Sequence, residues 1–222
     1  LDEDYFDEVD KINELLNSKR PISKETLKSL KKIDLFNFNV SQVTNFSYVF
    51  LNCISLKSLN LTNFNTYNVQ NMAHLFSDCS ALTSVELANF QTTKVTSLKN
   101  IFSGCSKLTE IDVSKFNTEK VKNMELMFAN LYSIVSIDVS NFDTSKVEDM
   151  YWMFGNCPYL SDIKISNKFV TTNVKDFESI FKGCDNLPAE IKNRINELCY
   201  NTHVTLTNGD LIDVLWSRRY LD

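Results

Sequence analysis

The chain has 222 residues, a formal charge of −5, and 23 lysines and arginines dispersed along its length. That balance argues against a nucleic-acid footprint and against a polybasic membrane patch, and no apolar run reaches the roughly 18 residues of a spanning helix. The chain opens at Leu1 on an acidic stretch (Asp2, Glu3, Asp4, Asp7, Glu8, Asp10) that does not read as a signal peptide. Any export signal or lipid anchor is therefore expected outside this sequence, or not at all.

In chain order, residues 3–17 place Phe6, Val9, Ile12, Leu15 and Leu16 on one helical face, and 23–31 suit a second short helix. Residues 1–33 are expected to form a helical N-terminal cap over the open end of a repeat array. From 34 to 187 a unit of 26 residues recurs. Phe50, Phe76, Phe102, Phe128 and Phe154 are spaced at that interval, and Phe181 arrives one residue late. The same alignment superposes Val43, Val69, Val95, Val121, Val147 and Val174, and Phe38, Phe64, Phe90, Phe116, Phe142 and Phe169. A fixed period of this length signals a solenoid, in which each coil buries its apolar face only by stacking on its neighbours.

Within a coil, Leu56, Leu59 and Leu61 have the L-x-x-L-x-L spacing of a leucine-rich repeat. The last two alternate as in a short strand, with Ser58 and Asn60 outward. Leu30/Ile33/Leu35 reads as a first strand, and later coils repeat the set through Leu160/Ile163/Ile165. Stacked at about 4.8 Å, these strands predict one parallel sheet. A cap position comes next, held by Asn45, Asn71, Ser97, Asn123, Asp149 and Asp176, all suited to helix N-termini. After it comes a short helical turn with apolar residues inward (Met72, Leu75, Phe76 and their counterparts), ended by Asn52, Asp78, Gly104, Asn130, Asn156 or Gly183 in a left-handed conformation. The expected fold is thus an α/β solenoid, a leucine-rich-repeat-like stack of about six coils with a parallel sheet on one face and short helical turns on the other. Residues 188–222 form a C-terminal cap: PAEIKNRINELC reads as a helix, and Asn208-Gly209 between alternating residues is a hairpin signal.

Cys53, Cys79, Cys105, Cys157 and Cys184 share one coil position, with Leu131 in the fourth coil and Cys199 as a leftover. There is no C-x-x-C and no histidine at ligand spacing, which disfavours a metal. The leucine disfavours a disulfide ladder, so buried thiols acting as small apolar side chains are expected. No cofactor is indicated. His74 and His203 pair with no nucleophile, and none of the four glycines forms a phosphate loop, so an enzyme is not expected.

The unit V-x-x-M-x-x-M-F-x-x-C-x-x-L-x-x-L-x-L-S-x-F-x-T, carried best by VKNMELMFANLYSIVSIDVSNFDTSKVEDMYWMFGNCPYLSDIKIS, resembles the BspA-like leucine-rich repeats of bacterial surface proteins. It is most similar to the lipoprotein-type repeat of low-GC bacteria, and it covers about two thirds of the chain. Leu131, an extra residue near Lys168, and CDNLPAEIKN depart from the pattern. The resemblance implies a curved solenoid displayed at a cell surface or secreted, which adheres to or recognises a protein or glycan partner. An intracellular protein–protein interaction scaffold or effector in the cytoplasm is the alternative, and free thiols fit it.

A binding site on such a module would lie on the concave strand face. There Asp34, Asn60, Glu86, Asp112, Asp138 and Lys164 form one column, and Glu110 and Asp162 stand out in the next (Lys32, Ser58, Ser84, Glu110, Ser136, Asp162). Stacked like charges repel, and a basic surface would relieve them. The plainer reading is a solvated face that keeps the chain soluble. A calcium site suits the columns poorly, because calcium gathers six to eight oxygens around one point. A second candidate is the turn flank, through Tyr48, His74, Tyr151 and Trp152, residues suited to interfaces.

Overall fold

The computed structural model of the protein describes residues 28–195, apart from Lys32, Asp34, residues 36–38 and Glu178. The bulk of the expected N-terminal cap, the C-terminal hairpin and Cys199 lie outside the described residues. So do Asp34 and Lys32 of the two charged columns.

Each coil runs from the strand position, where a strand forms in four described coils, through the buried phenylalanine and valine to the cap position and an apolar turn. Among the described residues four strands are formed: β1 (Ser58–Asn60), β2 (Ser84–Glu86), β3 (Ser136–Asp138) and β4 (Asp162–Lys164). They pair in parallel one coil apart, Leu59 opposite Val85 and Ile137 opposite Ile163. The expected continuous sheet is instead two pairs, β1–β2 and β3–β4. Residues 110–112, which should lie between them, form no strand and share no backbone hydrogen bond with β2 or β3. This is where Glu86, Glu110, Asp112 and Asp138, all exposed, succeed one another along the stack. Like charges directly opposite destabilise a strand pair, and the ladder gives way at that point.

A second line of contact runs through the cap positions, which bridge in parallel from Asn45 to Asn71, Ser97, Asn123, Asp149 and Asp176. The segments after them are not the expected helical turns. Tyr48, His74, Asn100, Leu126, Trp152 and Ser179 have φ between 50° and 67°, and a left-handed residue stops an α-helical ladder from propagating. The backbone donors are satisfied by the neighbouring coil instead. N–H groups of Phe46, Tyr48, Phe50 and Asn52 donate to the carbonyls of Asn71, Ala73, Leu75 and Ser77 at 2.8–3.1 Å, and later coils repeat the arrangement. A one-turn helix is marginal by itself, whereas a stacked neighbour supplies an acceptor for every second residue.

The left-handed residues that end each turn, Asn52, Asp78, Gly104, Asn130, Asn156 and Gly183, are placed as expected, with φ between 59° and 76°. Gly104 is needed for space as well, since a β-carbon there would overlap the Asp78 carboxylate. The caps do not work as helix N-caps over several donors. Asn45, Asn71, Asn123 and Asp149 each accept the N–H two residues on through Oδ1, at 2.9 Å, as in an Asx turn.

The core is made of aligned columns. Phe50, Phe76, Phe102, Phe128, Phe154 and Phe181 stack ring on ring at 5.6–5.9 Å with interplanar angles of 4–15°. Those separations exceed the coil spacing of about 4.8 Å, so the rings are offset, the geometry aromatic pairs favour. Phe64, Phe90, Phe116, Phe142 and Phe169 form a second buried column, and Val69 to Val174 a third. Val49, expected inward, is exposed. At the C-terminal end residues 189–195 are helical, with Ile195 buried and Ile191 against the core. No described helix is long and apolar enough to cross a membrane.

A polar column runs alongside these, and the spacing of apolar residues gives no sign of it. Thr66, Thr92, Thr118, Thr144 and Thr171 are buried. Thr118 Oγ1 donates to the Asp143 carbonyl at 2.9 Å and accepts the Asp143 N–H at 2.8 Å. Thr66, Thr92 and Thr144 make the same pair of bonds to Gln91, Asn117 and Val170. One hydroxyl therefore closes both backbone groups of the next coil where no strand pairing reaches.

Candidate functional site

The strand face presents Asn60, Glu86, Asp138 and Lys164 from β1 to β4, with Glu110 and Asp112 from the intervening coil, all exposed, and Asp162 half-buried. The stacking of coils thus brings the described members of both predicted columns to one surface. The column members differ in what holds them. Asn60, Asp112 and Asp138 each accept the N–H two residues on, from Thr62, Ser114 and Ser140, at 2.9–3.0 Å, so they also shape the turn that follows, which ends β1 and β3. The N/D-x-S/T spacing at each strand end carried that signal. These bonds hold the carboxyls of Asp112 and Asp138 below the usual carboxylate range, the serine hydroxyl contributing most. Both stay ionised at neutral pH, and the only ion pair to this run among the described residues joins Asp138 to Lys164 at 3.9 Å.

The turn flank treats charge differently. Glu148 sits between Lys122 (3.7 Å) and Lys175 (2.5 Å), and Lys99 pairs with Glu125 at 2.6 Å. Lys122, Asn123, Glu148, Asp149, Lys175 and Asp176 line an open groove of about 410 Å³ there, which sequence reasoning did not foresee. Burial raises the Asp149 carboxyl, and Asn123 Nδ2 donates to it at 3.2 Å. Opposite charges alternate along this flank, whereas carboxylates run uninterrupted from Glu86 to Asp138 on the strand face.

The aromatic candidates are not brought together. Tyr48 stacks on His74 at 4.7 Å and 14°, whereas Tyr151 and Trp152 lie three coils away, with buried Asn100 and half-buried Leu126 between. Trp152 is half-buried over Gly155, so close that a β-carbon at 155 would touch the indole. Burial and the Lys99 charge lower the His74 pKa, which favours the neutral ring against Tyr48.

Among the described residues no group of three or more His, Cys, Asp or Glu could hold a metal ion. The five column cysteines are buried and unpaired with one another as disulfides. They are more than apolar filler: Cys79, Cys105, Cys157 and Cys184 donate Sγ–H to the carbonyls of Phe50, Phe76, Phe128 and Phe154, at 2.9–3.1 Å.

A model of the family described as "Mycoplasma protein of unknown function, DUF285" matches residues 23–85 and 81–195. Among solved structures, a leucine-rich repeat protein from Bacteroides ovatus matches at 26% sequence identity with a TM-score of 0.41. The match covers 72% of this chain and 40% of that one, so the chain spans well under half of the Bacteroides protein. No curated protein matches.

Proposed function

The chain belongs to the DUF285 family of Mycoplasma proteins of unknown function, and on that premise we propose that it is a non-catalytic binding module, a leucine-rich-repeat-like solenoid that engages a partner through the exposed face of its strands. One observation carries this reading. Charge is compensated within the chain along the turn flank, whereas Glu86, Glu110 and Asp112 have no ion pair among the described residues and Asp138 has only the 3.9 Å pair to Lys164, in the stretch where the sheet is broken. A basic surface laid across those carboxylates supplies the missing countercharge and favours encounter with a partner of that sign. The resemblance of the 26-residue unit to BspA-like repeats supports display at a cell surface or secretion, and adhesion or recognition there of a protein or glycan. The second reading, an intracellular interaction scaffold, is favoured by the five buried free thiols, which suit a reducing compartment.

The test uses the purified chain as bait against cell-surface and matrix fractions, with cytosolic lysate in parallel. The control bait carries Glu86→Gln, Glu110→Gln, Asp112→Asn and Asp138→Asn. Asparagine keeps the turn-capping oxygen, as Asn60 already does. A partner held by the native bait and lost from the variant supports binding through the strand face. Equal capture by both baits overturns it. Capture from the surface fractions or only from cytosol decides between the two locations.

A further inference from the structure

The fourth and fifth coils carry exposed apolar residues at two positions, those of Val135 and Tyr159, where the other described coils are polar or small, beside Tyr132, whose position holds exposed Ile54 in the first coil. Tyr132, Val135 and Tyr159 are 43%, 55% and 61% exposed. At the positions equivalent to Val135 the other described coils carry Lys57, Thr83, Thr109 and Ser161, and at those equivalent to Tyr159 they carry Ser55, Ala81, Lys107 and Ser133. Tyr132 and Val135 belong to one coil and Tyr159 to the next, and the two coils are bonded on either side of Tyr159. Tyr132 Oη accepts from Asn156 Nδ2 in the next coil at 2.6 Å. The Val135 carbonyl accepts the N–H groups of Ser161, at 2.9 Å, and Asp162, at 3.4 Å, just beyond Tyr159. Scattered exposed apolar residues are ordinary, but grouped ones mark contact sites.

The patch adjoins the acidic face. Val135 leads directly into β3, whose exposed Asp138 stands opposite Lys164, and Tyr159 leads into β4, which begins at Asp162. The chain also shows what such a tyrosine takes: Lys94 Nζ sits 4.1 Å from the ring centroid of Tyr67, a tyrosine 50% exposed. Among the described residues no cation covers Tyr132 or Tyr159. A cation over an aromatic face, with carboxylates behind it, is a favourable arrangement for lysine or arginine.

We propose that the Tyr132–Val135–Tyr159 surface docks an extended protein segment that interleaves basic and apolar residues, its apolar side chains on Val135 and the tyrosine edges, its cations over the rings and toward Asp138 and Asp162. This rests on the reading of the chain as a binding module and names the partner class for one part of its strand face. An acidic or neutral segment would place nothing against the carboxylates, and a purely basic one would leave the apolar surface uncovered.

The probes are three labelled peptides of equal length: one repeating Lys-Leu-Lys-Tyr, its counterpart with Glu for Lys, and oligolysine. Each is titrated into the full chain by fluorescence anisotropy at about 0.15 M salt, where long-range attraction is screened. A neutral oligosaccharide set is tested alongside. The variant is Val135→Ser with Tyr159→Ala, which leaves the Tyr132–Asn156 bond in place; Tyr67→Ala is the control, and circular dichroism confirms that both fold. The mixed peptide should bind the native chain tightest and weaken about tenfold in the patch variant, as expected on losing interface anchors, with Tyr67→Ala near native. Oligolysine binding as tightly as the mixed peptide, or equal binding by native chain and patch variant, overturns the proposal. So does absence of peptide binding, or patch-dependent binding of an oligosaccharide instead. If bait capture depends on the carboxylates while the patch variant changes nothing, the binding-module reading stands and this inference alone falls.

Discussion

Cys79, Cys105, Cys157 and Cys184 each sit in the core with the thiol proton committed to a carbonyl one coil back. Burial was legible from their shared position, because a small apolar side chain must recur where coils stack. The acceptor was not legible, since it is a backbone atom 29 or 30 residues away. The geometry also accounts for Leu131. The Phe102 carbonyl that a thiol there would reach already accepts the Cys105 N–H at 3.1 Å, so leucine leaves nothing unpaired and fills the volume. Burial pushes the Cys105 thiol up to about 12, and only the thiolate reacts readily. The neighbouring thiol and burial raise Cys79 and Cys157 as well, so in a Cys199→Ser background a thiol-reactive dye at pH 8 should leave Cys79, Cys105 and Cys157 unlabelled until denaturant is added. Labelling of Cys105 in the native protein would contradict this. The sign of the linkage is also set: a raised folded pKa favours the folded state below the unfolded value near 9.0. Stability should hold at neutral pH and fall as pH climbs from about 9 toward 12, measured by denaturant melts across that range.

At the level of the coil, two contacts decide where neighbours hold and where they part. Thr118 closes both backbone groups of Asp143. Thr118→Val keeps the shape but orphans a buried N–H and a carbonyl, and should cost about 1–3 kcal/mol; Thr118→Ser, which retains the hydroxyl, should cost far less. Equal losses in thermal melts would mean that the methyl, not the hydrogen bonds, matters. The opposite case is the interruption at 110–112. Glu110→Ser with Asp112→Asn removes two charges from the carboxylate run while keeping the Ser114 turn bond. This pair should raise the melting temperature at low ionic strength, and the gain should shrink in about 1 M salt, where charges are screened beyond roughly 3 Å. A gain independent of salt would point to propensity rather than repulsion. The strands themselves were readable from L-x-x-L-x-L, and the repulsion from the aligned acids. What periodicity could not show was that repulsion would break the ladder, or that Leu126 and Trp152 would accept φ of 55° and 50°. Left-handed leucine and tryptophan contradict local preference at about 1–2 kcal/mol each, and only the neighbouring coil, through the Leu126 N–H to the Tyr151 carbonyl at 2.9 Å, supplies an offset.

Along the described residues, the contacts that stack one coil on another each reach one coil forward or back: the phenylalanine stack, the threonine and thiol columns, the cap bridges and the turn ladder all connect residues 24 to 30 apart. Stability is then close to a sum of coil and interface terms. Register, not the identity of any one coil, is what the chain must preserve. Deleting residues 93–118 removes one full period and joins Thr92 to Glu119, so that Thr92 meets Asp143 as Thr118 does now, and Phe76 meets Phe128. The same deletion excises Glu110 and Asp112 and brings β2 next to β3, which removes the interruption. The shortened chain should unfold in one cooperative transition with only modest loss of melting temperature. Deleting residues 93–105, half a period, should abolish that transition, because every column would face a mismatched neighbour. If both deletions unfold the protein alike, the coils are not interchangeable and the end segments must dictate the stack. If both survive, the core tolerates loss of register, and the aligned phenylalanine and threonine columns are not what holds it.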